Sequence, residues 1–207
     1  MSKFGLAPKL PAKEPHESLK AEILWGCESG GSPRFPSDVG TIHARRHSLE
    51  PKPMEAFRKA VSSAMARVWI VDEYFLVPDN AKSSDGRIFT ILDWLHPDLV
   101  ASDIRILTKK DDAITGEALQ LFQMREEEIN SKRTRQPMKC SIQISTRLTQ
   151  NFDYIHDRFA IVDDELWHFG ATVGGFHASV NAASRGWSAI ESGAIAFFEL
   201  VWEKCKE

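Results

Sequence analysis

Cysteine is scarce in this chain: three among 207 residues, Cys27, Cys140 and Cys205, an odd number set far apart with no CxxC pair. That excludes a disulfide framework and supplies no thiolate spacing for zinc, so the three read as reduced, structural residues. No apolar run approaches the about 20 residues that cross a bilayer, and the N-terminus lacks the charged segment and apolar stretch of a signal peptide. The expectation is a soluble, cytoplasmic protein without a transmembrane segment. Positive charge is not in surplus either: 26 Lys and Arg stand against 29 Asp and Glu, a net charge of −3. The broad basic surface that dominates non-specific nucleic-acid binding is thereby excluded, and any anion site must be local.

What is present divides at about residue 53. Residues 1–52 hold most of the Pro, Gly and Ser punctuation (APKLPAKEP, ESGGSPRFPSD), broken only by the apolar stretch Ile23–Trp25. This composition predicts an extended arm, of a kind that orders on a protein partner. Residues 53–207 predict one domain. Phe57, Ala60, Val61 and Ala64 recur at helical spacing, so 53–65 is a helix. Val68–Val71 is a short, fully apolar, β-branched run, a buried strand that stops at Asp72 and Glu73 and resumes at Tyr74–Val77. NAKSSDGR (80–87) is a loop, Ile88–Leu95 a helix stopped by Pro97, and Ile104–Leu107 a second buried strand. Residues 115–132 form a helix capped by Thr115. Arg133–Gln136 is a basic loop and Ser141–Ser145 a strand. The closing AIAFFELVWEKC (194–205) fits a helix or a strand. Helices alternate with strands, which predicts an α/β fold with a mixed sheet flanked by helices.

The chemistry concentrates in YIHDRFAIVDDELWHFGAT (154–172). In a strand, side chains two apart share a face, so His156 and Arg158 can converge on one anion while Phe159 and Ile161 pack on the other side. Asp163, Asp164 and Glu165 make a turn, and Leu166–Phe169 returns to Gly170, where backbone can approach closely or take a positive φ. His168 shares a face with Leu166 and Gly170, which is either a site or a half-buried edge. Downstream, NAASRGW (181–187) offers Ser184 and Arg185 from a surface loop. The charges of KKDD (109–112) and MREEEINSKRTR read as solvated, with a basic cluster from Lys132 to Arg135. Asp72 and Glu73 end a strand, where open α/β sheets often place functional groups, although solvated strand-end acids are commoner.

The spacing of His156, Arg158, Asp163 and Gly170 resembles the signature of the phospholipase D superfamily, H-x-K-x4-D-x6-G-(G/S)-x-N, and the order of elements over about 54–205 resembles a single half of that fold. The form HDRF followed by WHFGAT is similar to phospholipase D-like proteins encoded near bacterial mobile and defence elements. The IHDR signature also resembles the phospholipase D-like domain of a eukaryotic MIT-domain protein, where the fold binds membrane phospholipid without catalysis. The resemblance implies a phosphodiesterase without cofactor or metal: His156 as nucleophile on phosphorus, Arg158 as phosphate clamp, Asp163 as orienting or structural acid, with Gly170 and Thr172 at the substrate. His168, Ser184 and Arg185 are the candidates to complete the site. The chain departs from the signature at Arg158, at Ala171 and at Val173, which stands where the Asn belongs, and it carries one copy where the two-step displacement uses two. The implied enzyme is therefore a homodimer acting on a phosphodiester, nucleic acid ahead of lipid. The alternative is a degenerate module that binds a phosphate of nucleic acid or phospholipid without turnover.

Overall fold

The computed structural model describes residues 19–26, 28–46, 53–77, 84–133, 138–177 and 181–206. Cys27, the first eighteen residues, the first half of the 80–87 loop and the 134–136 stretch lie outside them. Seven strands form one sheet, β1 (Glu22–Leu24), β2 (Arg67–Val71), β3 (Asp103–Leu107), β4 (Ser141–Ser145), β5 (Phe159–Val162), β6 (Glu165–Phe169) and β7 (Ala183–Ser188), in the order β1-β7-β6-β5-β2-β3-β4. β2, β3 and β4 run parallel, while β5, β6, β7 and β1 alternate, so the sheet is mixed and the fold is α/β as predicted. The helices are α1 (Val39–Arg46), α2 (Glu55–Ser62), α3 (Ser84–Trp94), α4 (Gly116–Lys132), α5 (Leu148–Asn151) and α6 (Ala194–Cys205).

The apolar run of β2 has a direct cause. Val68 and Ile70 enter a core with Phe57 of α2, Trp94 of α3 and Phe122 of α4, whereas Trp69 and Val71 enter a second core with Phe198 and Trp202 of α6. A strand covered on both faces must be apolar at every position. In the first core Phe57 meets Trp94, Trp167 and Phe169 edge to face, with ring centroids 5.8, 5.3 and 5.1 Å away. The closing segment is a helix: Phe198, Val201, Trp202 and Cys205 are buried, the i, i+3, i+4, i+7 stripe of one helical face. Thr115 caps α4 as expected, its hydroxyl accepting the Ala118 N–H at 3.1 Å. Cys140 and Cys205 are buried free thiols.

Four expectations need correction. The segment after β2 does not resume as a strand: Tyr74–Val77 is a turn, fastened by Arg87, which donates to the carbonyls of Tyr74 (3.0 Å) and Val77. α3 starts at Ser84, inside the stretch assigned to a loop. The N-terminal residues expected in an extended arm include strand β1, paired antiparallel with β7, and helix α1, and Leu24 is fully buried. Ser184 and Arg185 lie in β7 rather than a loop, because Glu22 and Ile23 pair across from them and Glu22 takes the Arg185 guanidinium in an ion pair.

Asp163 fixes the β5–β6 turn. It sits at φ 54°, and its carboxylate accepts the N–H groups of Ala66 (2.6 Å), Met65 (3.0 Å) and Arg67 (3.2 Å), tying the turn to the start of β2. Asp163→Ala removes three acceptor contacts and leaves a non-glycine residue at positive φ. Urea unfolding is expected to show a loss of about 2–4 kcal/mol, with Asp163→Asn recovering part of it. A loss under about 0.5 kcal/mol would mean that those contacts contribute nothing net.

Candidate functional site

Side chains of different elements gather where the parallel strands end. The ladder between β2 and β3 continues one step beyond both strands: Asp72 N–H donates to Leu107 O at 3.0 Å, and Glu73 O accepts from both Lys109 N–H (3.1 Å) and the buried Thr108 hydroxyl (3.0 Å). These bonds fix Asp72, Glu73, Tyr74 and Lys109 relative to one another. Such carboxyl ends are where open α/β sheets hold ligands.

Asp72 lies at the base, with no exposed surface. Its oxygens accept the N–H of Tyr74 (2.8 Å) and the N–H of Val173 (2.7 Å), and Arg158 Nε stands 3.7 Å away. Burial pushes the carboxyl up to about 6, against the two backbone donors, Arg158 and Arg87, which all favour the charged form. Val173, which replaces the Asn of the signature, thus contributes its backbone rather than its side chain.

Glu73 is the next residue, its side chain 11% exposed, and its Oε1 lies 3.3 Å from Nδ1 of His156, whose side chain is 74% exposed. A carboxylate at Nδ1 holds the N–H there and leaves the lone pair on Nε2, the arrangement that orients an imidazole for attack or proton transfer. Arg158 faces Asp72 through Nε and the Tyr74 ring through Cζ, 5.0 Å from the centroid, and its side chain keeps 24% exposure. The Lys109 ammonium sits 3.8 Å from the same ring centroid. His156 and Arg158 are therefore both tied to the segment just after β2, one to Glu73 and the other to Asp72 and Tyr74. They precede β5, which begins at Phe159, so the two-residue pleat expected of them is replaced by an irregular segment whose last residue, Arg158, still accepts the Phe169 N–H at 2.9 Å.

The other predicted residues go elsewhere. Asp163 stands at the far end of β5, in the turn just described. His168 pairs with Phe159 and stacks on its ring (centroids 6.4 Å apart, planes 8° from parallel), on the α6 face of the sheet and opposite the face of Ala160 and Trp167. Together with Gly170 and Ser184, His168 lines a separate cleft of about 570 Å3 whose apolar walls include Trp25, Phe35 and Trp187. Gly170 donates to Ala182 O at 2.9 Å, and a Cβ there would stand 3.3 Å from that oxygen, so the glycine permits a close backbone approach. Thr172 is buried, with its carbonyl accepting Gly175 N–H at 3.0 Å. Arg185 lies over Trp167, 4.8 Å from its centroid, and is held by Glu22. Arg133, expected in an exposed basic cluster, is buried and donates to the carbonyls of Leu99, Val100 and Ala101. The residues that sequence reasoning passed over are Tyr74 and Lys109. The signal was the short segment that follows two of the parallel strands, Asp72–Tyr74 after β2 and Thr108–Lys109 after β3. Among the described residues no group of three or more His, Cys, Asp or Glu is placed to hold a metal ion, and no described helix is long and apolar enough to cross a membrane.

No family model and no curated protein matches the sequence. Among solved structures, the chain is similar to TrmBL2, an archaeal chromatin protein whose structure shows a novel mode of DNA binding, at 11% identity and a TM-score of 0.43 over 92% of this chain and 55% of that one. This chain thus spans about half the length of that neighbour. It is also similar to NucT from Helicobacter pylori, at 12% identity and a TM-score of 0.46 over 90% of this chain and 98% of that one.

Asp72 generates a pH dependence whose sign is fixed. With its folded pKa raised to about 6 and its unfolded value about 3.9, the folded state binds more protons between them. Its contribution is complete below about pH 4 and is lost as pH rises through about 6. Asp72→Asn leaves only one acceptor for two backbone donors and lowers stability at every pH, but it removes this slope. Urea unfolding at pH 4, 5, 6 and 7 is expected to show the difference between wild type and Asp72→Asn narrowing as pH rises. A difference independent of pH would show that Asp72 does not titrate in this window.

Proposed function

We propose that the chain is a phospholipase D-like phosphodiesterase that acts through a phosphohistidine. The observation that carries this is the orientation of His156: an exposed imidazole whose Nδ1 is engaged by a nearly buried glutamate, 3.3 Å away, next to a guanidinium with solvent access. Nε2 attacks phosphorus, and the bond from phosphorus to the leaving oxygen breaks. Arg158 binds the non-bridging oxygens, for which a planar fork of donors is suited and remains charged at any working pH. The leaving oxygen takes its proton from an imidazolium, and water then attacks the phosphohistidine, returning a proton to that second imidazole. His168 faces the other side of the sheet, so the second imidazole is assigned to His156 of another copy of the chain, in a homodimer. His156 and Arg158 meet Glu73, Asp72 and Tyr74, acids and an aromatic rather than aliphatic side chains, which supports a nucleic-acid backbone ahead of lipid as substrate.

Hydrolysis of bis(p-nitrophenyl) phosphate and of a DNA or RNA strand tests this, run with and without chelator. Expected is chelator-resistant activity that His156→Ala lowers about a thousandfold or more and Glu73→Gln about a hundredfold. Sedimentation should give a dimer under assay conditions. Activity abolished by chelator and untouched by His156→Ala would remove the proposal. Phosphate binding that depends on Arg158 and only weakly on His156, with no turnover in any assay, would instead identify a binding module.

A further inference from the structure

The KKDD stretch belongs to neither the signature nor the hairpin, yet its first residue meets the same Tyr74 ring as Arg158 and bonds the backbone of Glu73. We infer that Lys109 is the second cation of the phosphate site, binding a non-bridging oxygen alongside Arg158 across the Tyr74 ring. This rests on the phosphodiesterase reading and extends it to a residue outside the motif. Three observations carry it.

The backbone of Lys109 is fixed with respect to the nucleophile's partner: its N–H and the hydroxyl of its neighbour Thr108 both bond the carbonyl of Glu73, the residue that holds His156. Its ammonium is then brought to 3.8 Å from the Tyr74 centroid, while the Arg158 guanidinium lies 5.0 Å from the same centroid. The π system of the Tyr74 ring attracts each of the two cations. Finally, among the described residues Lys109 has no carboxylate within ion-pair distance, whereas Lys132, Lys206, Arg58 and Arg105 each have one. Tyr74 is 36% exposed, so the ring that both cations meet is open to solvent. An anion that binds at this ring draws on an ammonium and a guanidinium. A phosphoryl group has the oxygens to accept from both, and its charge grows on those oxygens as His156 attacks. Lys109 thereby supplies the compact ammonium that the signature places at the position of Arg158.

Inorganic phosphate is the probe, titrated by 31P NMR line broadening into the full chain as wild type, Lys109→Gln, Lys109→Arg, Arg158→Gln and the distant Arg105→Gln, with the urea midpoint of each variant recorded. Lys109→Gln is expected to weaken phosphate binding about tenfold or more, Lys109→Arg to recover most of that loss because the positive charge persists, and Arg105→Gln to match wild type. Loss of binding in Arg158→Gln with Lys109→Gln unchanged overturns the inference and leaves the phosphodiesterase reading in place. Weakened binding in Lys109→Gln that follows a lost folded fraction, or that Lys109→Arg fails to restore, also overturns it. Wild type that binds no phosphate overturns both.

Discussion

The carboxylate of Asp72 joins the two parts of the chain on which the site depends. One oxygen takes the N–H that starts the turn after β2, and the other takes the N–H of Val173, 101 residues later. A fully buried carboxylate is costly to ionise unless its lone pairs are used and a cation stands near. Here two backbone donors and Arg158 offset burial only in part, which is why the group titrates well above an ordinary aspartate. The cation that steadies Asp72 is also the one with an exposed side toward a ligand, so holding the fold together and positioning the guanidinium are one interaction.

That double duty gives a physical reason for arginine at 158. A lysine ammonium is a single point of charge at the end of a flexible stem; drawn down to a buried carboxylate, it would be spent there. A guanidinium has two edges. Nε turns inward to Asp72 at 3.7 Å, too long for a hydrogen bond, and the rest of the plane lies against Tyr74 with part of its surface in water. The inward contact is an ion pair that orients the group without consuming its outer donors.

Much of the fold was legible because its cause is local. The double-sided burial of β2 appears as an uninterrupted apolar run, the cap of α4 as a threonine, β3 as a short apolar run, β4 as an alternation, and β5 and β6 as a hairpin around acidic turn residues. The sequence of α6 fits a helix or a strand: Phe198, Val201, Trp202 and Cys205 carry a helical period, but Phe197 and Leu200, exposed on its other side, obscure it. β1 was missed because a three-residue strand in a Pro- and Gly-rich stretch exists only through its pairing with β7. For the site, His156 and Arg158 were visible as a spacing. The contacts that make them a site come from β2 and β3, through bonds between residues 35 to 101 apart in the chain, and no local pattern encodes those.

Sheet parity also decides what the hairpin can do alone. The side chains of β6 alternate, placing Trp167 and Phe169 in the core shared with Phe57 and turning His168 toward Phe159 and α6. His168 is thus held on the α6 face beside Phe159, whereas Arg158, ahead of β5, faces Asp72 and Tyr74. Sliding β6 by one residue would bring the imidazole across, but it would also expel Trp167 from the core and expose an indole that is now fully buried. Core packing therefore holds His168 on the α6 face, while the solvent-facing imidazole of His156, held from behind by Glu73, stays open to approach from outside.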